Sequence, residues 1–79
     1  MKEVAKQMQL IREEISKYES EYNRKPKIII TSYSLSVFMK VLLIQECKLT
    51  FEDDVELLNL YGIDLMTSPR LKDLEFEIY

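Results

Sequence analysis

No histidine occurs among the 79 residues of this chain. That removes the commonest general base and the commonest metal ligand. Cys47 is the single cysteine, so neither a disulfide framework nor a cysteine metal site forms within one chain. A lone thiol agrees with a reducing, intracellular location. Gly62 is the single glycine, which leaves no glycine-rich loop to cradle a nucleotide phosphate. With two prolines and no low-complexity run, the chain lacks the composition of disorder. Long apolar runs are missing too: Val41-Leu42-Leu43-Ile44 is far shorter than the roughly 20 residues of a membrane span. The charged N-terminal stretch has no apolar core of a signal peptide. A cytoplasmic protein with no membrane partner is the expectation. An excess of positive charge is absent as well. The net charge is −3, whereas a nucleic-acid footprint is normally basic.

What is present is a set of strong local patterns around Pro26-Lys27-Ile28-Ile29-Ile30-Thr31-Ser32. Before it, Val4, Met8, Ile11, Ile15, Tyr18 and Tyr22 recur at steps of 4 and 3. That spacing predicts one amphipathic helix over 2–22, about 30 Å long. Its stripe fits either a core helix packed on a sheet or a seam against the same helix of a second chain. Leu10 lies off the stripe as a further contact. Asn23 suits a left-handed cap, and Pro26 turns Lys25 away from helical dihedrals. Three consecutive isoleucines at 28–30 predict a central strand, covered on both faces and parallel to a neighbour.

Ser32 or Ser34 is the expected N-cap of a second helix over about 35–47. Leu35, Val37, Phe38, Met39, Val41, Leu42, Leu43 and Ile44 make it apolar nearly all round. Only a narrow polar stripe passes through Ser36 and Lys40. Either the other helices cover this element or a second chain does. Thr50-Phe51-Glu52-Asp53 resembles a capping box. With acids in the first turn and Gly62 as a left-handed end, it predicts a third helix over 51–61. A strand follows at 63–67. The strict alternation of Leu74, Phe76 and Ile78 with Glu75 and Glu77 predicts a half-solvated strand at 74–79, at an edge or over an open face. The last two strands look like a hairpin. The whole reads as one α+β domain over 1–79: a long N-terminal amphipathic helix, 2–22, followed by a compact α/β unit, 27–79. The order is α-β-α-α-β-β, with a small three-stranded mixed sheet covered by helices.

Chemistry-bearing constellations are few. Glu52, Asp53, Asp54 and Glu56 read as helix-start capping rather than a cation site, since no loop of alternating oxygen ligands is present. Ser32, Ser34 and Ser36 have no base partner that would make one a nucleophile. The hydroxyl-rich strand-to-helix turn from Thr31 to Ser34 has the character of an anion-binding helix start. The basic run Arg24-Lys25-Pro26-Lys27 lies at the other end of that strand. No enzyme, cofactor or metal is expected.

Gly62-Ile63-Asp64-Leu65-Met66-Thr67-Ser68-Pro69-Arg70-Leu71, with the strand 74–79, resembles the C-terminal hairpin region of tailed-phage major capsid proteins. Ile28-Ile29-Ile30-Thr31-Ser32 and the helix after it resemble an earlier strand-then-helix of that family. The chain is far too short for a capsid subunit, so the resemblance implies a small phage or prophage accessory protein and carries over no catalytic residue. The expected function is a non-enzymatic interaction or assembly protein acting as a homodimer or small homo-oligomer. Its expected interface is Val4, Met8, Ile11, Ile15, Tyr18, Tyr22, Phe38 and Leu42. The alternatives are a monomeric inhibitor or adaptor that binds another protein, and a weak nucleic-acid binder using Arg24, Lys25 and Lys27.

Overall fold

Helix α1 spans Lys2–Tyr22, the bounds that the heptad spacing predicts. The computed structural model describes residues 2–47 and 58–79. Val4, Met8, Ile11 and Ile15 are the buried residues of α1. The helix stops where Asn23 takes a left-handed φ of 58° and its N–H donates to Glu19 O at 2.8 Å. Asparagine tolerates that conformation better than most residues, which is why it caps here. Strand β1 follows at Ile28–Thr31, and helix α2 at Tyr33–Cys47. Ser32 is the cap of α2. Its Oγ accepts the Leu35 N–H at 3.0 Å, and its carbonyl accepts the Ser36 N–H at 3.1 Å.

The expected third helix over 51–61 is corrected where it can be tested. Residues 51–57, with the capping-box pattern and Glu52, Asp53, Asp54 and Glu56, lie outside the described residues. Asn59–Leu60 is a strand, β2. It pairs antiparallel with β3, Ile63–Thr67, through Leu60 opposite Ile63. Tyr61 at φ 54° and Gly62 at φ 79° make the connection. Two consecutive positive φ values define a primed turn, whose twist matches that of paired strands. Gly62 is left-handed as expected, but it closes a hairpin rather than a helix. Either role demands the same dihedral, so the sequence signal is ambiguous.

The sheet has four strands, not three, in the order β2-β3-β1-β4, with β4 at Phe76–Ile78. The two helices among the described residues and this mixed sheet make an α+β fold. β1 is internal, parallel to β3 and antiparallel to β4. The expected hairpin between the last two strands does not form, because they flank β1 on opposite sides. The connecting stretch is long enough to cross the end of β1. It folds through turns closed by Leu71 N–H to Ser68 O at 3.2 Å and Glu75 N–H to Lys72 O at 3.0 Å. Asp73, at φ 54°, takes the left-handed position within it.

Register decides which face is core. Ile29 lies beside Leu65 and Ile78, and these side chains point toward the helices. With Val4, Met8, Ile11, Ile15, Leu35, Met39, Leu42, Leu60 and Ile63, the residues Ile29 and Leu65 form one buried cluster. Leu43, Leu74, Phe76 and Ile78 pack against its margin. Ile28 and Ile30 point to the other face, beside Asp64, Met66 and Glu77. They are only half-buried, so β1 is not covered equally on both faces as its three isoleucines predict.

Candidate functional site

The eight residues expected to make an interface separate into two groups. Val4, Met8, Ile11, Ile15 and Leu42 are buried in the chain's own core. They are removed from the candidate surface, because a side chain packed inside one protomer has no area left for another. Ile11, fully buried, shows that the stripe of α1 is a core stripe. Tyr22 and Phe38 are exposed, and Tyr18 is half-buried. These three retain surface for a partner.

Two apolar surfaces stand out among the described residues. The first is the outer side of α2. Leu35, Met39 and Leu42 turn inward at steps of 4 and 3, one helical face. That rotation leaves Tyr33, Val37, Phe38 and Ile44 exposed, at 63%, 38%, 43% and 40%. Val41 and Leu43 are half-buried between the two sides. Ser36, expected on the polar stripe, is buried. Sequence could not orient this helix: with apolar residues on nearly all sides, periodicity marks no single inward face. Val37, Tyr33 and Ile44 were therefore missed as surface residues.

The second surface is a groove of ≈ 610 Å³ between the C-terminal half of α1 and β4. Leu10, Tyr18 and Tyr22 line one wall, and Phe76, Ile78 and Tyr79 line the other. The Tyr18 and Tyr22 rings lie 4.6 Å apart between centroids, tilted by 49°. Glu14, Glu21 and Lys17 stand along the helix wall. Leu10, off the core stripe, is exposed here.

On the open face of the sheet, Arg70 pairs with Glu77. The hydrogen bond from the guanidinium holds the Glu77 carboxyl below its usual range, and Glu77 in turn raises the Arg70 pKa. Midway along α1, the Arg12 guanidinium carbon lies 5.6 Å from the Tyr61 ring centroid. That contact ties α1 to the β2–β3 turn.

The hydroxyl-rich turn at Thr31 to Ser34 is not open to an anion at Ser32. Ser32 is buried; its Oγ accepts from Leu35 N–H and donates to Asp73 O. Thr31 Oγ1 donates to Ser32 O at 3.0 Å. Arg24, Lys25 and Lys27 are exposed in the loop between α1 and β1, and Lys25 shares a small pocket with Arg12 and Glu19. Among the described residues, no group of three or more cysteine, aspartate or glutamate side chains could hold a metal ion. Among them, too, no helix is long and apolar enough to cross a membrane.

No family model, curated protein or solved structure matches this chain.

Proposed function

We propose that the chain is a non-enzymatic assembly protein that pairs with a second copy of itself through the outer side of α2. The observation that carries this reading is the line of Tyr33, Val37 and Ile44 with Phe38 beside it, all solvent-exposed on one helix. Single exposed apolar residues are ordinary, but a contiguous apolar helix face marks an interaction surface. Lys40, half-buried, falls between Val37 and Ile44 on this side, and its long apolar stem can pack there while its ammonium stays in water. Helix against helix along α2, about 22 Å long, gives a self-complementary two-fold contact. Burial contributes about 25 cal/mol per Å² before the costs of association. A stable contact needs about 800 Å² on each partner, so residues flanking α2 would join it. The setting, a phage or prophage accessory protein, rests on the sequence resemblance alone.

The experiment is molar mass by size-exclusion chromatography with light scattering over a wide concentration range. The expected result is a dimer or small oligomer in the parent protein and a monomer in Val37→Asp and Ile44→Asp, with unchanged far-UV circular dichroism. A parent protein that stays monomeric at all concentrations overturns the reading and favours a monomeric adaptor.

A further inference from the structure

Strand β4 is terminal in the sheet, and the hydrogen-bond register shows which of its backbone groups are free. Ile28 N–H donates to Tyr79 O at 3.1 Å, and Tyr79 N–H donates back to Ile28 O at 3.0 Å. Further along, Ile29 faces Ile78 and Thr31 faces Phe76. Bonded and non-bonded pairs alternate in an antiparallel ladder. The N–H and C=O groups of Phe76 and Ile78 therefore point outward, away from β1. No described residue bonds them. Two donors and two acceptors stand at strand spacing on an open margin.

That margin borders the groove whose far wall is Leu10, Tyr18 and Tyr22. A free strand edge beside a helix wall offers two things to an extended chain. The edge supplies backbone hydrogen bonds, and the wall supplies contacts for alternate side chains. Charge then narrows the occupant. Glu14 and Glu21 outnumber Lys17 along the wall, and Glu75 and Glu77 lie on the opposite face of the strand. A second copy of β4 bonded antiparallel through Phe76 and Ile78 would set Glu77 directly against Glu77. Like charges in that position are destabilising.

From this edge and groove we infer that β4 adds an extended segment of another protein, alternating apolar and basic residues. Its apolar side chains pack on Leu10, Tyr18 and Tyr22. Its basic ones meet Glu75 on the opposite face and share Glu77 with Arg70. This surface is separate from α2, so the inference stands or falls apart from self-assembly.

The test is selection of binders from a displayed library of random short peptides, then NMR titration of the protein with the strongest binder as a synthetic peptide. Selected sequences are expected to alternate apolar and basic residues. The Phe76 and Ile78 amide signals are expected to shift and to gain protection from hydrogen exchange. Ile78→Pro removes one outward donor at an edge position where proline is tolerated; binding is expected to weaken about tenfold. Leu10→Glu, on the exposed wall of α1, supplies a second variant with the strand intact and is also expected to weaken binding. Val37→Asp is expected to leave it unchanged. A library that yields no binder, binders without the alternation, or shifts confined to α2 overturns the proposal. So does protection of the Phe76 and Ile78 amides that grows with protein concentration and no peptide, because that marks pairing of two copies.

Discussion

Replacing Ser32 by alanine removes two interactions made by one buried hydroxyl. As the N-cap of α2, Ser32 Oγ accepts the Leu35 N–H at 3.0 Å. Losing a serine cap to alanine costs about 1 kcal/mol. The same hydroxyl donates to Asp73 O, which ties the helix start to the turn before β4. Leaving that part-buried carbonyl without its donor costs a further 1–3 kcal/mol, roughly. The total is about 2–4 kcal/mol, a large share of the roughly 4–12 kcal/mol expected for a domain this small. The melting temperature should fall by about 10–30 °C. Urea unfolding followed by circular dichroism measures the free-energy loss, at one fixed protein concentration because self-association would shift the midpoint. Ser34→Ala is the control. Ser34 is exposed in the first turn of α2, and its replacement should change stability by under about 0.5 kcal/mol. Equal losses in the two variants, or a loss under about 0.5 kcal/mol for Ser32→Ala, would refute the reasoning.

Three further outcomes follow from single side chains. Ile11→Ala empties a fully buried position and should lower the unfolding free energy by about 2–5 kcal/mol; if it instead changes only molar mass, the stripe of α1 is an interface. Gly62→Ala has open space for its Cβ, so its cost is backbone strain alone at φ 79°, about 1–2 kcal/mol by urea titration; no loss would argue against the primed turn. Glu77 has a lowered pKa, first through its hydrogen bond from Arg70. The pair therefore adds stability above the ordinary carboxylate range and loses it as pH falls through the lowered value. The difference in urea midpoint between parent and Arg70→Ala should shrink with acidification. A difference constant with pH would exclude the ion pair as its source.

Local elements were legible because local physics sets them. The α1 boundaries came from an apolar period of 3.5 and from Asn23, whose left-handed cap needs no distant contact. β1 was legible from three β-branched residues behind Pro26, and the start of α2 from a serine at a strand end. The same logic misled at Gly62. A positive φ closes a helix and opens a primed hairpin alike, and the choice depends on whether Leu60 finds Ile63 across the turn. The candidate surfaces were only half legible. Phe38 and Tyr22 keep free surface, whereas Met8 and Leu42 are inside.

Sequence by itself determined α1, β1, the serine cap of α2, β3 and β4, because periodicity, capping and β-branching act within a few residues. Tertiary structure alone decided three things. It placed β3 and β4 on opposite sides of β1, turned Leu35, Met39 and Leu42 of α2 inward, and left the outer edge of β4 open beside Leu10, Tyr18 and Tyr22. Each depends on competition between distant apolar surfaces for one small core. A helix apolar on all sides carries no local instruction about which side wins. The register of β1 settled that competition by directing Ile29 toward the helices, and the surfaces left outside are the ones on which the proposed contacts rest.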